Sequence, residues 1–337
     1  MQAACVGPSF GLANLKVIEL DQPRLRPTDV LLRLRAASLN YRDLLVARGE
    51  YNPSYPLPLI LGSDAVGEVV ELGSEVEAGS LPLGSRVCPL FAQGWLQGPP
   101  SRSTVRHTLG GPLPGVFARY AAVAADSVVR VPDALSDLEA ACLPCAGLTA
   151  WSALCTLGSL RKGESVLILG TGGVSVLGAQ IALALGARVI ATTRNEAKRE
   201  RLLALGVEAV VVAQGAGWGE AVRRTIGGEG VDHVLEVGGA GTLIESLRAV
   251  RPGGTVSLIG TLAGGQSTPS LLPAVMRNVR LQGVFVGHRD SFRALLLAAE
   301  SWRLHPVVDS SFELGHVNAA MERLACGDQF GKVCLTL

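Results

Sequence analysis

The stretch SVLILGTGGVSVLGAQIALALGA, residues 165–187, runs 23 residues without a charge between Glu164 and Arg188. By hydropathy alone it is long enough for a membrane-spanning helix. Its five glycines argue otherwise. Gly170, Gly172 and Gly173 cluster at one point, whereas a spanning helix scatters its glycines or sets them along one packing face. Residues 166–169 ahead of the cluster read as a buried strand. Residues 174–185 behind it read as a helix closed by Gly186, too short to cross a bilayer. The reading is strand, turn, helix, with no membrane partner.

Strand–helix alternation continues toward the C-terminus. Strands are expected at 189–193, 207–212, 231–237 and 255–259, and helices at 196–204, 218–226 and 243–250. This pattern makes βαβ units around a parallel sheet, whose strands are covered on both faces and so read as continuous apolar runs. Toward the N-terminus, Ser136-Asp137-Leu138-Glu139 is a capping box that opens a helix, and a second helix is expected over 148–157. Before it the chain is strands and turns, at 30–35, 60–72, 85–91 and 116–131. Residues 92–115, rich in Gly, Pro and Ser, carry three basic residues and no acid and form a long loop.

Composition narrows the classes. The 337 residues are 48% hydrophobic and 18% charged. The 30 basic and 29 acidic side chains give a net charge of +1. That balance excludes an electrostatic nucleic-acid binder. Residues 1–10 lack a basic start followed by an apolar run, so no targeting segment is expected. Seven cysteines, an odd number, make no disulfide framework and suit thiols kept reduced in a cytoplasm.

Gly170-Thr171-Gly172-Gly173-Val174-Ser175 follows a strand and opens a helix, the setting of a dinucleotide fingerprint. The first glycine makes the tight turn and the second lets the backbone approach a pyrophosphate. The third position, here Ser175, calls for a small residue for helix–strand packing. The helix N-terminus then offers free N–H groups to phosphates. The next strand ends at Thr192-Thr193-Arg194-Asn195, with no acid to hold a ribose 2′-hydroxyl. Arg194, with Thr193 and Lys198 or Arg199, suits a 2′-phosphate, so NADP(H) is expected over NAD.

With these features in place, the whole chain resembles the medium-chain dehydrogenase/reductase superfamily, nearest its zinc-lacking, quinone oxidoreductase-like branch. The resemblance rests on several segments together with the glycine turn. They are Ser38-Leu39-Asn40-Tyr41-Arg42-Asp43 with Gly49-Glu50-Tyr51, Leu61-Gly62-Ser63-Asp64-Ala65-Val66-Gly67, Leu143-Pro144-Cys145-Ala146-Gly147, Arg251-Pro252-Gly253-Gly254, and Phe330-Gly331-Lys332-Val333. It implies a doubly wound Rossmann domain at 125–286. That domain is inserted into a GroES-like, mostly-β catalytic domain formed by 1–124 and 287–337, with the active site in the cleft between them. It also implies a homodimer through Rossmann edge strands, here 280–286.

Zinc-dependent relatives carry Cys, Gly-His-Glu and a later Cys as metal ligands. The matching positions here hold Asn40, Ser63, Asp64 and Cys145, a poor zinc set, so no metal is expected. Cys142 reads as core and Cys145 as a cleft-lining thiol. By the same resemblance Asn40 lies beside the nicotinamide ribose. Tyr51 sits where related enoyl reductases place a tyrosine that donates a proton or orients substrate, or it is a rim aromatic only. Thr149, Ile259, Gly260, Thr261, Phe285 and Val286 are expected on the nicotinamide side. Lys332 approaches the cofactor or makes a surface pair. Asp43 reads as a buried carboxylate paired with an arginine. Tyr51, Tyr55, Phe91 and Trp95 suggest an apolar pocket, and His107 and His288 read as solvated. The expected activity is zinc-independent, NADPH-dependent reduction of a small quinone or α,β-unsaturated carbonyl by hydride transfer. The alternatives are an NAD(P)-dependent alcohol/aldehyde oxidoreductase and an NADPH-binding protein without turnover.

Overall fold

A computed structural model describes residues 1–77, 79, 81–260 and 270–337. The chain opens with β1 (Gln2–Val6) and β2 (Leu15–Glu19), which pair antiparallel. The long alternating segment expected at 30–35 is the centre of β3 (Asp29–Ser38). After it come α1 (Tyr41–Arg48), β4 (Leu59–Ile60), β5 (Asp64–Leu72), β6 (Arg86–Pro89), β7 (Tyr120–Ala124) and β8 (Val128–Arg130). β3 pairs with both β5 and β7, and its register shifts twice against β5. Such bulges sharpen local twist, as barrel walls require. The capping box works as read: Glu139 N–H donates to Ser136 Oγ at 3.3 Å, and Ser136 N–H to Glu139 Oε2 at 2.8 Å. It opens α2 (Asp137–Ala141).

The helix expected over 148–157 is broken up. Only α3 (Leu148–Trp151) is α-helical, and wide π turns flank it at Leu143–Gly147 and Ser152–Thr156. Pro144 lacks an N–H for the ladder, and the Leu157 N–H reaches back five residues to the Ser152 carbonyl at 2.8 Å.

The quoted stretch folds as strand, turn and helix: β9 (Ser165–Leu169), then α4 (Gly173–Ala184). There follow β10 (Arg188–Thr193), α5 (Arg199–Ala204), β11 (Ala209–Val212), α6 (Trp218–Thr225), β12 (Val231–Glu236), α7 (Leu243–Ala249), β13 (Val250–Leu258), α8 (Leu272–Met276) and β14 (Arg280–Gly283). All six strands are parallel, in the order β11-β10-β9-β12-β13-β14. Counted from β9 this is the doubly wound order 3-2-1-4-5-6, whose switch point lies between the first and fourth strands. The expected edge strand 280–286 is shorter than read. It ends at Gly283, and Val286 adopts a left-handed φ of 43°. No helix among the described residues is long and apolar enough to cross a membrane.

The chain closes with α9 (Arg289–Trp302), β15 (Val308–Glu313), α10 (Val317–Ala325) and β16 (Lys332–Thr336). β16 pairs antiparallel with β3, aligning Cys334 with Ser38. This places the last strand beside the start of α1.

Two compact units result, 1–148 with 287–337, and 149–286. The first boundary lies after 148, not after the expected 124. β8 pairs with β6, and α2 packs on β3, β5 and β16, so residues 125–148 belong to the GroES-like barrel. The barrel core is built around Leu32, Leu39, Leu44, Leu61 and Phe117. The sheet unit has its own core around Leu167, Ile190, Val234 and Val256.

Candidate active site

In the parallel-sheet unit, Gly170 follows β9 with φ +72°, a conformation that side chains with a Cβ rarely adopt. Gly172 caps the N-terminus of α4, and no atom lies within 4 Å of where its Cβ would be. The turn therefore presents bare backbone, as approach of a pyrophosphate requires. Val174 opens the helix beside Gly173, and Thr171 is buried. Ser175 donates from Oγ to the Leu169 carbonyl at 2.7 Å, tying the helix to the strand end. The close helix–strand approach falls one turn later, at Gly178, where a Cβ would meet Leu235 Cδ1 at 2.4 Å.

At the end of β10, Thr193 is buried and its Oγ1 accepts the Asn195 N–H at 3.1 Å, while Arg194 is exposed. Lys198 is buried, so it is not a solvated helix-start charge. Arg199 pairs with Glu196 at 3.1 Å. Thr149 and Val286 are buried, and Phe285 is exposed. The backbone N–H groups of Ile259 and Gly260 both donate to the Glu236 carbonyl, at 2.9 and 3.3 Å. Thr261 lies outside the described residues.

In the barrel unit, two of the residues read at the expected metal positions, Asn40 and Asp64, face a lysine. Lys332, 3% exposed, donates from Nζ to Asn40 Oδ1 at 2.6 Å and to the Leu39 carbonyl at 2.7 Å. It lies 3.6 Å from Asp64 Oδ2. The alternative of a surface pair for Lys332 is thus overturned. Pairing of β16 with β3 draws its side chain inward, a contact across more than 290 residues that sequence spacing could not reveal.

Because an ammonium only donates, Asn40 must turn its carbonyl oxygen to Lys332, which leaves its Nδ2 hydrogens facing Ser63 Oγ at 3.4 Å. Asp64 accepts from Ser38 Oγ at 3.2 Å. Burial pushes the Asp64 carboxyl above its usual range, against the pull of Lys332. Burial opposes the Lys332 charge, yet Asp64 beside it holds the ammonium above its ordinary value.

Asp43 is buried and caps α1 by accepting the Asn40 N–H at 2.8 Å. Its carboxyl is pushed up to about 6 by burial, with Arg42, 4.0 Å away, pulling the other way. The Arg42 guanidinium is held between two rings, 5.1 Å from the Tyr51 centroid and 4.8 Å from that of Phe91. It donates to the carbonyls of Leu109 and Gly111, which anchors the long loop to α1. Tyr51 is 41% exposed above this cation.

Phe91 and Trp95 are buried. His288 is not a solvated residue: it caps α9, its Nδ1 accepting the Ser291 N–H at 3.1 Å. Sequence reasoning missed two residues, Arg42 and Glu236. The signal for Glu236 was present, a carboxylate ending an apolar strand run.

The family resemblance raises the question of a catalytic zinc. Asn40 Oδ1 and Asp64 Oδ2 face an ammonium rather than a cation vacancy, and burial drives the half-buried Cys145 thiol upward, away from the thiolate that zinc requires. Among the described residues no group of three or more His, Cys, Asp or Glu could hold a metal. The donor set does not fit zinc.

Comparison with known proteins gives two domain matches. Residues 26–133 match the alcohol dehydrogenase GroES-like domain, and residues 173–301 match the zinc-binding dehydrogenase family. A zinc-type alcohol dehydrogenase-like protein of Schizosaccharomyces pombe is 37% identical over 97% of this chain and 96% of its own length. An acryloyl-coenzyme A reductase of Metallosphaera sedula is 32% identical over 95% of this chain and 96% of its own. Among solved structures, an NAD-dependent alcohol dehydrogenase superposes with a TM-score of 0.91 at 31% identity, covering 100% of both chains.

Proposed function

The chain belongs to the medium-chain dehydrogenase/reductase superfamily of oxidoreductases, and from that premise we propose that it is a zinc-independent, NADPH-dependent reductase of an enone or quinone. One observation carries the reading: the Lys332 ammonium on Asn40 Oδ1 stands among the residues that would otherwise have to bind a metal. A simple carbonyl acceptor needs its developing alkoxide strongly stabilised. A conjugated carbonyl spreads that charge through its own π-system, so neutral hydrogen-bond donors suffice.

The reduced nicotinamide, when bound, supplies the hydride. Asn40 Nδ2–H, its amide polarised by Lys332, donates to the substrate carbonyl oxygen. Ser63 Oγ supports that donor from its other side. Tyr51, held above Arg42, orients the substrate or delivers the proton to the α-carbon. The bare backbone at Gly170–Gly173 and the N-terminus of α4 hold the pyrophosphate. Arg194, exposed and with no ion-pair partner among the described residues, takes the 2′-phosphate. The similarity to an acryloyl-coenzyme A reductase supports a conjugated carbonyl.

We propose a homodimer as well. Leu272, Val275 and Met276 are 63%, 70% and 73% exposed just before the edge strand β14, an apolar face of the kind that pairs with a second copy.

Three measurements test these readings. Turnover of enones and quinones with NADPH, and none of primary alcohols, is expected from protein that elemental analysis finds free of zinc. Stoichiometric zinc, or preference for primary alcohols, overturns the reading. A lower KM for NADH than for NADPH overturns the cofactor choice. A monomer by light scattering overturns the dimer.

A further inference from the structure

We propose that Glu236 is a positioning residue for the nicotinamide half of the dinucleotide site. A doubly wound sheet is two mononucleotide-binding halves, and ligands lie beyond the carboxyl ends of its strands at the switch point. β9 begins the first half and β12 the second. Glu236 is the last residue of β12 and is fully buried.

Among the described residues no basic group pairs with it. The donors it meets there are neutral. Oε1 accepts the N–H groups of Gly238 at 2.8 Å and Gly239 at 2.9 Å, and the Thr242 hydroxyl at 2.5 Å. Oε2 accepts the Ser246 hydroxyl. One carboxyl oxygen thus accepts from three groups and the other from one. The side chain thus shapes the turn after β12, while the carbonyl of the same residue takes the N–H groups of Ile259 and Gly260 after β13.

The two turns are also locked to each other. A Cβ at Gly260 would meet the Val237 carbonyl oxygen at 2.5 Å. A displaced Glu236 therefore disturbs both turns of the second half together. The inference rests on the chain binding a dinucleotide across this sheet.

The test measures dissociation constants of the full-length protein for NADPH and for 2′,5′-ADP, which carries only the adenosine half. Glu236→Met, close in size, removes both acceptor oxygens from their donors. It is expected to weaken NADPH by about tenfold or more and to change 2′,5′-ADP by less than about twofold. Thr242→Val, which removes one of those donors, is expected to repeat the selective loss at about threefold and covers the case in which Glu236→Met does not fold. Equal loss of both ligands in Thr242→Val, or no loss of NADPH in either variant, overturns the proposal. If wild type prefers NADH, the same comparison is made with NADH and ADP, so failure of the 2′-phosphate reading is seen separately. Wild type binding neither dinucleotide overturns the premise and the proposal together.

Discussion

Two buried carboxylates, Glu236 in the sheet unit and Asp64 in the barrel unit, are accommodated by opposite means. Among the described residues, the donors to the Glu236 carboxylate lie within residues 238–246, all neutral, in the turn and helix that follow its own strand. Asp64 instead faces Ser38 and the ammonium of Lys332, brought from distant parts of the chain by the pairing of β16 with β3 and of β3 with β5. The first arrangement shapes a local loop. The second joins the C-terminal strand to the start of α1 through a charge, and its stability depends on the fold being complete. Loss of one neutral donor should therefore be mild, and loss of the ammonium severe.

The sharpest way to break this contrast is Lys332→Met. It strands Asp64 in the core and is expected to cost about 3–5 kcal/mol in urea unfolding. Adding Asp64→Asn should restore more than half of the loss, and a single-variant cost below about 1 kcal/mol would remove the distinction.

Next in size is a pH effect in the same barrel network. Burial raises the Asp43 carboxyl from 3.8 to about 6 in the folded state, so folding favours its protonated form. The stability this provides is present below the unfolded value and is lost as pH rises to the folded one. The unfolding free energy of wild type relative to Asp43→Asn should therefore fall by about 3 kcal/mol between those values and stay flat above. A difference that rises with pH would contradict the burial argument.

Smaller effects are expected in the sheet unit. Glu236→Met should cost about 1–3 kcal/mol, the range for buried donors left without their acceptor. Gly170→Ala should cost about 1 kcal/mol for its left-handed φ of +72°. Gly172→Ala, with open space at its Cβ, should leave stability nearly unchanged while weakening dinucleotide binding. Thermal melts alongside cofactor titrations separate the last two.

The sheet unit was readable because its signals are short-range. Glycines at a strand–helix turn, apolar runs and helix caps all act within a few residues, and β9, α4 and β10 form where that pattern places them. The barrel unit was less readable. β1 and β2 carry no distinctive period, β15 and β16 are recognisable only once they pair, and the assignment of 125–148 turned on which sheet β8 joined. The burial of Phe91 and Trp95 was not readable, because residue type does not say which side of a loop is covered.

The sequence by itself determined the parallel sheet of alternating strands and helices and its glycine turn, because each follows from residue type at fixed local spacing. Only the tertiary structure decided that Lys332 is buried against Asn40 and Asp64, that Arg42 is held between Tyr51 and Phe91, and that Glu236 joins two turns. Those contacts arise from strand pairing and helix packing, which bring distant residues together at separations that no local pattern encodes.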